Sequence, residues 1–186
     1  MIFDKSFLLI LGGCDAFHFY TTCHLNGSPY SLGATSDGIV FIENTPIDDV
    51  TKRHWFDKFF DTNQLYQDDN HPLLVRCRQQ LQQYFDGKLT TFDIPLDLKG
   101  TPFQKAVWNS LLAVQYGQSK SYKAIAESIG KPTASQAVGA AVGQNPIMII
   151  VPCHRILGAT RKLTGFRGGL PTKEQLLQLE HIPYKE

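Results

Sequence analysis

Residues 147–155 read Ile147-Met148-Ile149-Ile150-Val151-Pro152-Cys153-His154-Arg155, an unbroken apolar run closed by a proline, a cysteine, a histidine and an arginine. A short continuous apolar run reads as a fully buried strand, which sets the cysteine at a strand end with an imidazole beside it. A thiolate, not a thiol, is the nucleophile, and a nearby histidine lowers the cost of forming it. The segment therefore predicts a reactive cysteine fixed by a packed core.

Upstream, Thr101-Pro102-Phe103-Gln104 gives an N-cap, a proline at the first helical position and a glutamine three residues on, the signature of a capping box. Phe103, Val107, Leu111 and Val114 continue as an apolar stripe with Trp108 beside it, and Gly117 is read as the stop. Ser121 caps a second helix from Tyr122 through Ile125 to Ile129, stopped at Gly130. Pro132-Thr133 restarts a third, through Val138 and Val142 to about Gly143. Two short helices joined by Gly-Lys-Pro-Thr suit a helix-turn-helix or a plain helical hairpin. The third helix carries Gly139 and Gly143, each costing about 1 kcal/mol relative to alanine. Close approach of another backbone, from DNA or from a packed neighbour, would account for them.

The N-terminal half reads differently. Residues 1–45 are strands and turns, with Asn26-Gly27-Ser28-Pro29 and Ser36-Asp37-Gly38 as turn signals and Gly38–Ile42 as a strand. Residues 50–69 suggest a short helix and loops. Asn70-His71-Pro72 opens a helix along Leu74, Cys77, Leu81 and Phe85 that Gly87 closes. Phe7–Leu11 followed by Leu11-Gly12-Gly13-Cys14 superficially matches a lipoprotein leader, but five apolar residues fall short of a signal core of about 7–15, so a first strand is expected. The proline-marked stretch 92–100 is the link between two units.

Composition is compatible with an ordinary core: 42% hydrophobic and 19% charged, in 186 residues. No run is long enough to span a bilayer. Net charge is +1, but residues 1–93 carry 7 basic and 12 acidic side chains against 11 and 5 in residues 94–186. The basic half suits a polyanion. Cys14, Cys23, Cys77 and Cys153 have no CxxC spacing, which predicts free thiols in a reducing compartment. Cys14, His18, Cys23 and His24 match no standard zinc finger, so no metal is expected.

Taken in order, Thr101–Gln104, Val107-Trp108, Ser121-Tyr122, Ala137–Ala140, Asn145-Pro146, Pro152–Arg155, Gly165–Gly169 and Lys173-Glu174 with Leu176-Leu177 and Glu180 form a set of blocks. In order and spacing they resemble the O6-alkylguanine-DNA alkyltransferases, the methylated-DNA–protein-cysteine methyltransferases of direct repair. The resemblance is strong over residues 95–182 and extends to His71-Pro72-Leu73. It implies an α/β (α+β) protein: an N-terminal ribonuclease-H-like scaffold domain over 1–92, with a small antiparallel sheet and a helix. A mostly helical DNA-binding domain with a helix-turn-helix would follow over 93–186. The implied reaction is a single stoichiometric transfer of an alkyl group from O6-alkylguanine, and O4-methylthymine by extension, to Cys153.

The resemblance also implies roles. His154 would act as base on Cys153 through a water, oriented by Glu180, and Asn145 would brace the turn. Tyr122 would donate to the guanine ring, while the carbonyls of Cys153 and Ile156 and the amide of Arg167 would read its edge. Arg155 would be structural, tying the units together. Lys123, Ala134, Ser135 and Gln136 would face double-stranded DNA, with Lys131 nearby. No cofactor, no membrane contact and a cytoplasmic monomer are expected. Three positions depart from the family pattern. Gln136 stands where an arginine usually fills the gap left by the extruded base, and Phe166 and Arg167 replace a tyrosine and a small residue at the pocket rim. The alternative is a non-catalytic damage-recognition protein on the same fold, which Cys153 speaks against.

Overall fold

A computed structural model describes residues 18–47 and 65–185. The strand expected at residues 7–11, Cys14 and most of the short helix and loops expected over 50–69 lie outside the described residues; the part of that stretch that is described opens with a strand at Leu65–Gln67 instead. Four strands form one sheet: β1 (His18–Leu25), β2 (Ser28–Ala34), β3 (Ile39–Glu43) and β4 (Leu65–Gln67), in the order β3-β2-β1-β4. β1 and β2 are joined at Asn26-Gly27, and β2 runs antiparallel to both β1 and β3. β4 pairs parallel to β1, so the sheet is mixed rather than antiparallel as expected. The chain leaves β3 at one edge and returns at the other, a crossover that permits parallel pairing where a tight hairpin does not.

Helix α1 (Pro72–Phe85) lays Leu74, Cys77, Leu81 and Tyr84 on the sheet. Within the expected Asn70-His71-Pro72 start, His71 is the N-cap, and its side chain makes no capping hydrogen bond. Helix α2 (Pro102–Leu112) has the expected capping box: Gln104 N–H donates to Thr101 Oγ1 at 3.3 Å, and Thr101 N–H to Gln104 Oε1 at 2.8 Å. It buries Val107, Trp108 and Leu111. Trp108 Nε1 donates to the Ala141 carbonyl at 2.8 Å, which ties α2 to α4. Two-residue strand β5 (Lys120–Ser121) leads into α3 (Tyr122–Ser128), capped by Ser121 Oγ. Helix α4 (Ser135–Gly143) starts later than expected, because residues 131–134 close a turn from Ala134 N–H to the Lys131 carbonyl. After a 3₁₀ turn at Cys153–Arg155 come β6 (Ile156–Leu157), parallel to β5, and α5 (Leu170–Leu179).

Two further expectations change. The apolar run 147–151 is a buried turn rather than a strand. Only Ile147 bridges to Ile42 of β3. The chain then folds on itself, with Ile150 N–H on Met148 O and Val151 N–H on Ile147 O, and Ile149 at φ 72°. The Asn145 side chain supplies the hydrogen bonds a neighbouring strand would have made: Oδ1 accepts from Ile147 N–H at 3.0 Å and Nδ2 donates to Val151 O at 2.8 Å. Gly117 likewise does not end α2, which stops at Leu112. At φ 75° it turns its N–H onto Glu180 Oε2 at 3.3 Å, a backbone shape that favours glycine.

One apolar core runs from the sheet through α1, α2, α3 and α4 to Cys153. The seam is the free edge of β3, where Ile39 N–H donates to Pro95 O, Asp97 N–H to Ile39 O, and Ile42 N–H to Pro146 O at 2.8–2.9 Å. A Cβ on Gly38 would sit 2.7 Å from the Leu96 carbonyl carbon and from Pro95 O, closer than backbone can tolerate. Gly38→Ala should therefore peel residues 95–97 off β3. The expected loss is about 1–3 kcal/mol in urea unfolding, with the α-helical circular dichroism of the folded state unchanged. Among the described residues no helix is long and apolar enough to cross a membrane.

Candidate active site

The buried turn and the 3₁₀ turn after it bring the expected residues together. Cys153 is 6% exposed, and its sulfur accepts from Asn145 Nδ2 at 3.1 Å. Burial pushes the thiol pKa up, opposed by the Asn145 N–H and by the positive charges of Arg167 and Lys173. Asn145 thus serves the backbone of the turn and the sulfur with one side chain.

His154 is fully buried, its Nε2 2.8 Å from Glu180 Oε1. Burial holds its pKa below the ordinary value, against the pull of Glu180. A neutral ring bonded to a carboxylate through Nε2 carries its proton there, which leaves Nδ1 as a buried acceptor with no hydrogen-bond partner among the described residues. Glu180 is the C-cap of α5 and 1% exposed. Oε1 accepts from Tyr84 Oη at 2.6 Å, His154 Nε2 and Arg155 Nη2 at 2.9 Å; Oε2 accepts from Arg155 Nε at 2.7 Å and Gly117 N–H. Burial alone would raise this carboxyl. The bonds from His154, Arg155 and Tyr84 outweigh it and bring the pKa down to about 2.

Arg155 does not join the two units directly. Besides Glu180 it donates to Val114 O at 2.5 Å and lies 5.8 Å from the Tyr116 ring centroid, all within the C-terminal half. One side-chain tie across the units is Tyr84 of α1, whose hydroxyl reaches Glu180. A second is Arg167, which pairs with the buried Glu43 of β3 and donates to Asn145 O at 2.6 Å. Neither Tyr84 nor Glu43 was singled out from sequence, and Lys173 was quoted there only as part of a motif block, with no role given to it. That lysine is 1% exposed, donates to Ile156 O at 2.8 Å and Thr164 O at 3.3 Å, and is lowered by burial to about 8.

Tyr122 is half-buried, its hydroxyl 2.8 Å from Thr164 Oγ1. The Ile156 carbonyl already serves Lys173 but retains a second lone pair. Beside Cys153 lies a pocket of about 10 Å³ lined by Val142, Asn145, Met148, Phe166 and Arg167 among others, space for roughly one water. Lys123 and Gln136 are exposed, and Ala134 and Ser135 partly so. Lys123 Nζ is 3.9 Å from Glu127. An added Cβ would meet only the Tyr122 ring at 3.7 Å from Gly139, and nothing from Gly143. A packed neighbour within the fold is thus not what requires these glycines.

The comparisons with known proteins follow the same geometry. Residues 34–98 match a family described as "6-O-methylguanine DNA methyltransferase, ribonuclease-like domain", and residues 102–182 its "DNA binding domain". The inducible methylated-DNA–protein-cysteine methyltransferase of Bacillus subtilis is 44% identical over 153 residues, 81% of this chain and 83% of that protein. The Mycobacterium bovis protein of the same description is 57% identical over 101 residues, 54% of this chain and 61% of its own. Among solved structures, the O6-methylguanine methyltransferase of Mycobacterium tuberculosis aligns at TM-score 0.74 and 38% identity, covering 88% of this chain and 92% of that one. A complex of that organism's OGT with DNA aligns at 0.74 and 40%, covering 87% and 92%.

Proposed function

The chain belongs to the 6-O-methylguanine DNA methyltransferase family, and from that premise we propose that Cys153 is the atom-accepting residue of a single-turnover repair reaction on double-stranded DNA. The protein is a methylated-DNA–protein-cysteine methyltransferase acting by direct reversal. The observation that carries the assignment is the relay itself: Glu180 holds the His154 proton on Nε2 and leaves Nδ1 open in the residue next to the buried sulfur.

In the proposed step, His154 Nδ1 takes the Cys153 proton through a water, with Asn145 Nδ2 donating to the sulfur. The thiolate attacks the alkyl carbon, the carbon–O6 bond breaks, and its electron pair stays on guanine. Tyr122 donates to the guanine ring and eases that departure; the guanine anion then takes one proton from water while the His154 imidazolium returns the Cys153 proton to solvent, so the step balances. The carbonyls of Cys153 and Ile156 and the amide of Arg167 read the base edge. The product thioether is stable, so each molecule acts once. The acceptor is the protein, and the chemistry calls for no cofactor. The target carbon lies inside the duplex and the nucleotide must be rotated out. With the pocket near 10 Å³, Arg167 and Phe166 must shift to admit it.

DNA contact is assigned to α4 and its approach. Ala134 caps the helix without a side-chain bond, so the first-turn amides near Ser135 and Gln136 remain for phosphate, with Lys123 and Lys131 alongside. The chain is read as a scaffold over 1–92 and a transfer unit over 93–186, acting as a cytoplasmic monomer. Free buried Cys23, Cys77 and Cys153 suit that reducing location. Incubation with duplex O6-methylguanine followed by mass measurement of the tryptic peptides tests the proposal. A one-methyl gain confined to the Cys153 peptide supports it. An unmodified peptide with tight binding would instead mean damage recognition without transfer.

Gln136 gives a sharper prediction. Helix α4 bears no basic side chain, so only the shorter, uncharged Gln136 stands where an arginine would fill the space left by an extruded base. Gln136→Arg should raise the transfer rate on duplex about tenfold, equivalent to roughly 1.4 kcal/mol of the unstacking cost. The rate with the free base O6-methylguanine should stay the same. Equal gains on both substrates would contradict this account.

A further inference from the structure

Tyr84 is the one side chain of α1 that reaches the relay. It is fully buried, and its hydroxyl donates to Glu180 Oε1 at 2.6 Å, the same oxygen that receives His154 Nε2. Its ring is held independently by Phe85, Phe92 and Tyr116, at centroid distances of 5.6, 5.4 and 6.1 Å. Packing therefore fixes the ring, and the hydroxyl is left to act on the carboxylate alone. Burial, with Glu180 beside it, pushes the phenol well above its ordinary pKa, so it stays a donor.

We propose that Tyr84 is a positioning residue: its hydroxyl shares Glu180 Oε1 with His154 and keeps the imidazole neutral, with Nδ1 free to take the Cys153 proton. This rests on the proposed transfer reaction and adds to it a residue from outside the transfer unit. A carboxylate oxygen that donors already surround polarises each of them less. Oε1 accepts from Tyr84, His154 and Arg155. Without the phenol, its charge would fall more heavily on His154 and favour the imidazolium, which cannot accept a proton. The other charged or titratable groups around the pair are Arg155 and Cys153 on the 3₁₀ turn, Lys173 on α5, and Tyr116 before β5. Tyr84→Phe leaves all of them unchanged.

The test is the single-turnover transfer rate of Tyr84→Phe and wild type on duplex O6-methylguanine, measured from about pH 5 to pH 9. The acid limb of the variant should move up by roughly one pH unit, with the rate about tenfold lower on the acid side of both limbs, a smaller loss at neutral pH and the melting temperature nearly retained. A limb that stays in place or moves down overturns the proposal, even if the variant is slower at every pH, because that is what lost packing would give. Should the wild type transfer no methyl group, the reaction itself is misassigned. The NMR titration of His154 in the two free proteins then carries the same decision, since a midpoint raised by Tyr84→Phe requires no substrate.

Discussion

Glu180→Ala is expected to destabilise the protein by about 3–5 kcal/mol and to abolish transfer. The carboxylate is the acceptor for Tyr84, His154, Gly117 and both donating faces of Arg155. Removing it leaves a guanidinium in a site where Arg155 is only 6% exposed, and breaking a buried pair from one side carries that penalty. Against a total stability of about 5–15 kcal/mol, the melting temperature should fall on the order of 10 °C. Glu180→Gln keeps the shape and one acceptor, so it should unfold less readily yet still transfer slowly, because an amide cannot support the imidazolium formed during the step. Urea unfolding with single-turnover assays separates the two effects.

The sign of the pH dependence follows from the same group. The folded carboxyl sits near 2, below an unfolded value of about 4.3. Its stabilisation is complete above the unfolded value and is lost as pH falls through the window down to about 2. That part of the acid unfolding curve should vanish in Glu180→Ala. A variant as stable as wild type at pH 7 would mean that the cluster contributes nothing.

Cys153→Ser should eliminate transfer, with a rate loss of at least about a thousandfold, while leaving fold and duplex binding intact. A thiol is a few per cent ionised at neutral pH and intrinsically nucleophilic, and a hydroxyl is neither. In the proposed step His154 takes its proton from a thiol, and a serine hydroxyl is far less acidic, so the same base yields far less nucleophile. Serine is slightly smaller and still accepts from Asn145 Nδ2, so the turn at 145–153 should survive. The assay is the methyl count on duplex O6-methylguanine with a parallel gel-shift measurement. Continued removal of the methyl group by the serine variant would show that another atom takes the carbon.

What the sequence made legible depended on whether the deciding chemistry was local. The Thr101–Gln104 capping box and the Ser121 cap close their bonds within three residues, and both read correctly. The run 147–151 misled because hydrophobicity reports burial, not direction. Asn145, two residues before the run, satisfies the turn that no neighbouring strand satisfies. Strand polarity left no mark on β4 either, since parallel and antiparallel partners ask for the same side chains. At the site, Cys153 and His154 are adjacent and announced themselves, whereas Glu180 was reached only through the family resemblance. Tyr84 stayed hidden because it sits among apolar positions of α1 beside Phe85. Its hydroxyl acquires a meaning only through a residue 96 positions away.

The indole of Trp108 ends in a bond to the Ala141 carbonyl, on the helix assigned to the duplex, and its ring is shut away from solvent. The chain has two tryptophans. Once Trp55 is replaced by phenylalanine, the remaining emission comes from a fluorophore wired to α4. Its wavelength and lifetime then give a label-free, real-time trace of that helix as the protein lands on its substrate, timed separately from the chemistry at the sulfur.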